Sequence, residues 1–342
     1  MLSLRGMWCF LKSGQMGLVR RLERTSTELY RVCFLARAGE LGLLQKLGTD
    51  GASLAETGLA LEIGADRHPA LEALLDLGVT LKELDLKNGR YRLKGFLAKA
   101  LAKDTNDSWR AMASEVSGLH VACVAAAPGG ESDARRLAEM TAAFSSVIAR
   151  SSRTLEPVLT AVTRELVPGN GPFRLLEVGC GSGVYVAAAL RRNPKATAVA
   201  VERVPEVAEK AAASLREEGF ADRFRMVNDD VRELSFDREF DLITLHNNIY
   251  YFLEAERPDL LVRLRSWLKP GGRLAVTTVC QGGGGPFSRV LMLWSTVTAD
   301  AGSLPSPDGF AKMLTQAGFA GVRTQPLFPG EAYTLFTGEN PA

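Results

Sequence analysis

Residues 175–183 read LLEVGCGSG and decide the fold of the second half of this 342-residue chain. The mostly apolar stretch Leu175, Leu176, Glu177 and Val178 predicts a buried strand, which passes directly into Gly179, Gly181 and Gly183 and then into a helical pattern. Glycine is needed where the backbone turns sharply and a ligand lies against it, since a Cβ atom would collide with that ligand. The stretch therefore predicts a strand, a ligand-binding loop and a helix, the first unit of an α/β domain.

Short β-rich runs alternate with helical ones outward from this loop. The runs after LLEVG are ATAVAVE (196–202), FRMVND (224–229), FDLITLH (240–246) and RLAVTTV (273–279). Such alternation predicts a parallel sheet covered by helices on both faces. The last two runs, 322–328 and 331–338, lie too close together for a crossover helix and predict an antiparallel hairpin. The fold class is α/β, a Rossmann-like seven-stranded sheet with its last strand antiparallel.

The first hundred residues follow a different pattern, with three helices and then a hairpin. Ser53 with Glu56 forms a capping-box pattern at one helix start, and Asn88-Gly89 is a strong signal for a tight hairpin turn. Three helices followed by a hairpin are typical of a winged helix. We expect a mostly helical winged-helix-like domain at 1–105, a helical connector at 106–168, and the α/β domain at 169–342, after a Pro/Gly-rich boundary.

Composition restricts the classes of protein. Hydrophobic residues make up 46% and charged residues 23%, which is the balance of a folded protein, and the net charge of +2 gives no field that would attract nucleic acid or an anionic membrane. The five cysteines are scattered without metal-binding or disulfide spacing. No run approaches the ~20 apolar residues of a membrane span. We expect a cytoplasmic protein that binds neither nucleic acid nor a membrane, and no residues are assigned to a metal site.

Carboxylates follow three successive strands of the predicted sheet. Glu177 precedes the glycines and would repel a pyrophosphate, whereas it suits the ammonium group of an amino-acid cofactor. Glu202 ends the second strand, where a carboxylate can accept hydrogen bonds from both ribose hydroxyls. After the third strand, Asp229 and Asp230 can accept a hydrogen bond from the adenine amine, and Val231 can flank the ring. The alternatives are an exposed strand end for Glu202 and a turn or helix cap for the aspartates.

With these residues, the sequence resembles the class I S-adenosylmethionine-dependent methyltransferases. The resemblance rests on LLEVGCGSG, Glu202, NDDV (228–231), FDLITLHN (240–247) and WLKPGGRLAV (267–276). It implies S-adenosylmethionine as cofactor. It also implies that Gly179, Gly181 and Gly183 shape the cofactor loop, that Glu202 binds ribose, and that Asp229 and Asp230 lie beside adenine.

The N-terminal pattern is similar to that of small-molecule O-methyltransferases, in which the winged helix forms a homodimer and helps to close the active site. Winged helices also bind DNA. Here the helix that would enter a major groove carries Asp66, Glu72 and Asp76 against Arg67 alone, which disfavours groove reading. The wing at 87–94, with Arg90 and Arg92, is the feature that supports DNA binding. We expect a homodimer.

His246 is the candidate catalytic residue, because the fourth strand ends in His246-Asn247-Asn248 and this end would face the sulfonium. As a neutral imidazole it can take a proton from a hydroxyl or an acidic carbon. A metal-ligand role and a purely structural role beside the cofactor stay open, and His246 and Asn247 are also candidate cofactor contacts. The general base that such O-methyltransferases carry after the fifth strand has no histidine counterpart in TTVCQGGGG (277–285).

The leading hypothesis is methyl transfer from S-adenosylmethionine to oxygen or an acidic carbon of a small molecule of secondary metabolism. For methyl transfer the protein must chiefly place the nucleophile in line with the methyl group and exclude water. One alternative is a winged-helix regulator that binds S-adenosylmethionine or a metabolite. Another is a protein of this fold that uses S-adenosylmethionine without transferring its methyl group.

Overall fold

The computed structural model describes residues 6, 8–9, 11–48, 50–330 and 332–341. The chain folds as two compact units, Met1–Ser117 and Gly118–Ala342. The division into three parts at residues 105 and 168 stays a prediction.

The first unit is helical apart from one hairpin. Its elements are α1 (Met16–Glu40), α2 (Leu43–Leu47), α3 (Leu54–Ala60), α4 (His68–Thr80), β1 (Leu84–Lys87), β2 (Arg90–Leu93), α5 (Phe96–Leu101) and α6 (Asp107–Glu115). The Ser53 hydroxyl accepts from the Glu56 N–H at 3.2 Å, and the Glu56 carboxylate accepts from the Ser53 N–H at 2.7 Å, so the predicted capping box is present. Asn88 and Gly89 join β1 to β2 with φ of 51° and 69°, as a two-residue hairpin turn requires.

The second unit begins with helices and continues as an alternating α/β domain. Its helices are α7 (Val121–Ala126), α8 (Glu131–Ala143), α9 (Ser145–Ser151), α10 (Glu156–Leu166), α11 (Val184–Arg192), α12 (Pro205–Glu217), α13 (Arg257–Trp267), α14 (Pro286–Val297) and α15 (Pro307–Gln316). Its strands are β3 (Phe173–Val178), β4 (Ala196–Val201), β5 (Phe224–Val227), β6 (Phe240–His246), β7 (Leu268–Val279), β8 (Ala320–Pro326) and β9 (Tyr333–Glu339).

The seven strands form one sheet in the order β5-β4-β3-β6-β7-β9-β8. Neighbours pair in parallel from β5 to β7, whereas β9 pairs antiparallel with both β7 and β8. The predicted fold class, including the antiparallel last strand, is confirmed. The chain runs outward from β3 to β5 and then returns to β6 on the other side of β3, so a topological switch point lies between β3 and β6.

Apolar side chains cover both faces of this sheet. Leu176 and Val178 of β3 belong to one core, whereas Leu175 belongs to the other. This alternation is expected of a strand with helices on both sides. Within the described residues, no helix is long and apolar enough to cross a membrane.

The segment Lys269-Pro270-Gly271-Gly272 forms an irregularity in β7. Phe240 pairs with Leu268 and Leu242 pairs with Arg273, so β7 contains extra residues opposite β6. Gly271 takes a φ of 75°, which a glycine adopts without strain. Lys269 Nζ lies 2.8 Å from Asp241 Oδ2, which ties the bulge to the start of β6.

Candidate active site

The switch point brings the glycine loop and the end of β6 together. β3 and β6 pair in register, with Val178 opposite Leu245, so Gly179 and His246 follow directly from neighbouring positions on two adjacent strands. Open α/β sheets bind ligands in the crevice at such a point, outside the carboxyl ends of the strands.

The three glycines of the loop have different surroundings. Gly179, Gly181 and Gly183 have φ of 65°, 53° and 75°, in the left-handed region that favours glycine. A Cβ atom at Gly179 would lie 2.6 Å from the Asn248 side chain, and one at Gly183 would lie 3.4 Å from Ala211 on α12. A Cβ atom at Gly181 would meet nothing within 4 Å. Gly181 therefore presents open backbone to the crevice, whereas the other two glycines allow close packing within the protein.

Glu202 ties the end of β4 to the glycine loop. Its Oε2 accepts from the Gly181 N–H at 3.1 Å, and its Oε1 accepts from the Val204 N–H at 3.0 Å. The residue is half-buried, and each carboxylate oxygen can accept a further hydrogen bond. The geometry leaves capacity for the predicted contacts with two ribose hydroxyls and gives Glu202 a structural function in the loop as well.

Asp229 and Asp230 follow β5 but differ in environment. Asp230 caps the short 3₁₀ helix Val231–Glu233 and accepts from Arg232 Nε and Nη2 at 3.0 Å each. Burial opposes the ionisation of Asp230, but the hydrogen bonds from Arg232 outweigh it and lower its pKa. Asp229 is exposed and accepts from the Asp230 N–H at 2.8 Å. Val231 is buried beside this turn. The adenine contact predicted for the pair stays a prediction.

Glu177 is a buried carboxyl group just before the loop. It is 1% exposed, and it pairs in the sheet with Thr244 of β6. Burial raises the pKa of Glu177 to about 8, although a hydrogen bond with Thr244 partly offsets this effect. A cationic ligand beside this buried carboxyl group would stabilise its ionised form, because a nearby positive charge favours ionisation.

His246 lies at the centre of a small polar cluster at the ends of β6, β7 and β9. Its Nδ1 is 2.8 Å from the Thr277 hydroxyl, while its buried Nε2 has no partner among the described residues. The Tyr333 hydroxyl donates to the Thr277 hydroxyl at 3.3 Å. The Tyr185 ring of α11 packs edge-on against His246 at 5.0 Å, and its buried hydroxyl also lacks a partner in the described chain. Burial lowers the pKa of His246 to about 4, so the imidazole is neutral at pH 7.

Asn247 and Asn248 turn the chain away from β6. Asn247 has a φ of 56°, and its N–H donates to the Thr277 carbonyl at 2.8 Å. The Asn248 side chain donates to the Val178 carbonyl, which joins the ends of β3 and β6. Its buried Oδ1 has no partner among the residues described. The two asparagines hold the turn after β6 against the ends of β7 and β3, and Asn248 adds an unpaired acceptor there.

Sequence reasoning did not identify Tyr185, Asn248, Thr277 and Tyr333 as members of the site. Asn248 was detectable, because it continues the strand-end triplet His246-Asn247-Asn248. Thr277 faces His246 only through the register of β6 and β7, and Tyr333 enters through the antiparallel strand β9. Neither pairing has a sequence signal of its own.

Other features of the domain lie outside this cluster. Tyr250, Tyr251 and Trp294 pack against one another with ring centroids 5.1–5.8 Å apart, and Tyr250 and Trp294 are buried. These rings therefore fill the core. Within the described ranges, no group of three or more His, Cys, Asp or Glu residues is arranged to hold a metal ion.

Comparison with known proteins identifies the domain. Residues 175–272 match the family model described as a methyltransferase domain. The chain is 29% identical over 194 residues to demethylspheroidene O-methyltransferase from Cereibacter sphaeroides, an alignment that covers 56% of this chain and 49% of that protein. The chain thus spans about half the length of this curated relative.

Solved structures share the architecture along nearly the whole chain. Mitomycin 7-O-methyltransferase superposes with a TM-score of 0.76 at 18% identity, covering 96% of this chain and 99% of that one. Human N-acetylserotonin methyltransferase, solved with S-adenosylmethionine, superposes with a TM-score of 0.70 at 17% identity, covering 95% and 98%. At these identities the likeness shows the fold.

The sheet order, the glycine loop at the switch point and the family match together define a methyltransferase domain. The family match over residues 175–272 and the order of the strands support the resemblance of this domain to the class I S-adenosylmethionine-dependent methyltransferases.

Proposed function

We propose that this protein transfers a methyl group from S-adenosylmethionine to oxygen or an acidic carbon of a small molecule of secondary metabolism. The observation that carries the proposal is the open backbone of Gly181 in the crevice, with Glu202 bonded to its N–H and the unpaired Nε2 of His246 at the adjacent strand end. Curated and structural relatives that act on demethylspheroidene and mitomycin support the same class of acceptor.

The residues of the crevice fit S-adenosylmethionine. Gly181 leaves space where a side chain would obstruct a ligand, and Glu202 retains capacity to accept from the ribose hydroxyls. Glu177 is a buried acid whose ionisation a cationic amino-acid ligand would favour. Asp229 is exposed at the end of β5 and would bind the adenine amine. When bound, the cofactor supplies an electrophilic methyl group.

His246 is proposed as the catalytic residue that contacts the acceptor. It is the histidine of the chain that the topology brings to the switch point, and its Nε2 has no bond to any described residue. Leaving a buried polar atom unpaired costs about 1–3 kcal/mol, so the free protein holds a hydrogen-bonding group that a ligand can satisfy. Tyr185 and Asn248 present similar unpaired atoms.

Isothermal titration calorimetry with S-adenosylmethionine tests the cofactor site. Glu202→Gln should weaken binding roughly 10- to 100-fold, because hydrogen bonds to a charged group contribute about 1.5–3 kcal/mol. Glu206→Gln is the matched control, since Glu206 is exposed on α12 and pairs with Lys210. Absence of binding to the parent protein, or equal affinities for parent and Glu202→Gln, would refute the proposed site.

Methyl transfer itself is tested by the release of S-adenosylhomocysteine. The acceptor panel contains hydroxylated polyenes, quinones and aromatic hydroxyl compounds, the kinds of molecule that the relatives' names indicate. His246→Gln should lower kcat by at least tenfold while leaving the affinity for S-adenosylmethionine nearly unchanged. Tight cofactor binding with no turnover across the panel would instead favour the reading in which the cofactor is bound without methyl transfer.

We also propose a homodimer formed through the N-terminal unit. On α1, Leu18, Leu22 and Leu29 follow a 4- and 7-residue spacing and are each 44–68% exposed, which forms an apolar stripe along one side of the helix. Leu22→Glu should raise the dimer dissociation constant at least tenfold, as measured by light scattering. Arg20→Glu, on the opposite side of α1, is the control. A parent protein that is monomeric at tens of micromolar would contradict the proposal.

A cytoplasmic location is part of the same proposal. Cys9, Cys33, Cys123, Cys180 and Cys280 are all unpaired, which suits a reducing compartment.

A further inference from the structure

A cavity of about 250 Å³ lies between α10 and α11, and basic side chains line it. Its lining residues are Thr160 and Arg164 from α10, with Ala188, Arg191 and Arg192 from α11. Residues three or four apart share one face of a helix, so Thr160 lies beside Arg164 on one wall and Ala188 lies beside both arginines on the other. Three guanidinium groups therefore line one small space, and among the described residues no acidic side chain lines it with them.

The positive charges of this cavity are only partly compensated within the protein. Arg191 donates from Nε to the Glu218 carboxylate at 2.9 Å, at the end of α12. Arg164 and Arg192 form neither an ion pair nor a hydrogen bond with any part of the chain that the structure describes. Like charges that share a cavity repel one another. Two positive charges therefore remain that an anionic ligand could neutralise.

Capping of the helix ends does not account for the two unpaired arginines. Both lie in the last turn of their helices, where a cation can interact with the free carbonyl groups. Other arginines already fill this role. At the end of α10, Arg273 donates to the Leu166 carbonyl at 3.3 Å. At the end of α11, Arg223 donates to the Leu190 carbonyl at 3.0 Å. The two arginines of the cavity are thus left without a structural partner in the described chain.

The arginines of the cavity lie toward the opposite edge of the sheet from the crevice. α11 begins after Gly183, at the carboxyl end of β3, and ends at Arg192, just before the amino end of β4. At 1.5 Å per residue the helix is about 13 Å long, which separates its last turn from the glycine loop. α10 likewise ends shortly before the amino end of β3. The cavity is therefore separate from the site formed by Gly181 and Glu202.

We propose that this cavity binds a phosphate dianion, either as free phosphate or as the phosphate monoester of a small molecule. Two unpaired guanidinium groups match the charge of about −1.5 to −2 that a phosphate monoester carries at pH 7. The planar fork of an arginine donates parallel hydrogen bonds to phosphate oxygens, and the Thr160 hydroxyl can donate another. The cavity is smaller than the roughly 300–1,000 Å³ of pockets for drug-sized molecules, so it suits a phosphate group rather than a large planar ligand.

Isothermal titration calorimetry of the full-length protein at low salt measures this binding. The probes are inorganic phosphate, methyl phosphate and dimethyl phosphate, of which the last carries a single negative charge. We expect inorganic phosphate to bind with a dissociation constant below about 1 mM, and dimethyl phosphate at least about tenfold more weakly because it compensates only one guanidinium group. Methyl phosphate that binds as tightly as inorganic phosphate would identify an ester as the ligand, and weaker binding would identify the free ion. Dissociation constants above about 10 mM for both dianions would overturn the proposal.

Single substitutions locate the binding within the chain. Arg164→Gln and Arg192→Gln should each weaken phosphate binding at least about tenfold, because charge-assisted hydrogen bonds to phosphate are the strong ones. Both positions are exposed, so the melting temperature should change little. Arg289→Gln, at an exposed position on α14, removes the same charge elsewhere and should leave the affinity within about twofold, because solvent screens distant surface charges. Equal losses in all three variants would show a response to net charge alone and would overturn the proposal.

Competition with S-adenosylmethionine separates this cavity from the crevice, because the helix N-terminus at the glycine loop can itself attract phosphate. Phosphate should bind equally well with and without the cofactor, and Arg164→Gln should leave cofactor binding unchanged. Displacement of phosphate by S-adenosylmethionine would place the phosphate in the crevice and overturn the proposal. Arginine-dependent retention on anionic vesicles or duplex DNA, without binding of the phosphate probes, would assign these arginines to a macromolecule and overturn it as well. The variants keep the test independent of methyl transfer, so either proposal can fail alone.

Discussion

Glu177 should make the cofactor-free protein less stable as the pH rises from about 5 to 9. The carboxyl group is buried, and burial raises its pKa from an ordinary 4.5 to about 8. The folded protein therefore keeps this proton up to about pH 8, whereas the unfolded chain releases it near pH 4.5. Between those values the folded state binds more protons, so the free energy of unfolding falls as the pH rises.

The size of the effect follows from the difference in pKa. About 3.5 units at 1.36 kcal/mol per unit correspond to a loss of about 5 kcal/mol across the range, as an order-of-magnitude figure. Glu177→Gln keeps the shape of the side chain and cannot ionise. The variant should lack this part of the pH dependence, and its stability relative to the parent should rise from pH 5 to pH 9.

Urea unfolding of parent and variant at a series of pH values is the appropriate assay, because all other titrating groups cancel in the difference between the two curves. Glu206→Gln, at an exposed position on α12, should leave the pH dependence of the parent unchanged. Parallel curves for the parent and Glu177→Gln would show that Glu177 is ionised in the folded protein and would refute the reasoning.

Three further predictions concern stability and binding. Arg257→Met should lower the free energy of unfolding by about 2–5 kcal/mol in denaturant titrations, because the buried guanidinium donates to two backbone carbonyls. Arg289→Met, at an exposed position, is the control. Equal stabilities of the parent and Arg257→Met would contradict the expectation. Gly183→Ala and Gly181→Ala should each destabilise the fold by about 1–2 kcal/mol, because both glycines have a positive φ. In calorimetry Gly181→Ala should weaken S-adenosylmethionine binding more than Gly183→Ala does, because only the Cβ at 181 would project into open space, and the reverse order would count against the assignment. Random duplex DNA should give no gel shift at low salt, and a salt-dependent shift would favour the regulator hypothesis.

Much of the fold could be predicted because its signals are local. Asn88-Gly89 specifies a hairpin turn through its positive φ angles, and Ser53 with Glu56 specifies a helix start through two reciprocal hydrogen bonds. The run 175–183 specifies a strand, a glycine loop and a helix for the same kind of reason. The candidate residues Glu177, Glu202 and His246 follow from their positions at strand ends, because parallel strands bring those ends to one edge of the sheet.

The surroundings of the site residues could not be predicted from the sequence. The sequence treats Gly179, Gly181 and Gly183 alike, yet only Gly181 lies beside open space, because α12 and Asn248 occupy the other two Cβ positions. The residue type and position of Asp230 suggest a ligand contact, but in the structure it caps a short helix and pairs with Arg232, which follows it by two residues. Packing and side-chain rotamers decide such differences.

The sequence by itself determined the order of strands and helices, the glycine loop and the class of cofactor site, since these depend on residues close together in the chain. Only the tertiary structure decided what His246 can do. Thr277 lies 31 residues beyond His246, and their contact exists because β7 pairs with β6 in one particular register. Tyr333 joins them because β9 runs antiparallel beside β7. A ring whose burial and hydrogen-bond partner depend on such distant strands acquires these surroundings only when the sheet has formed.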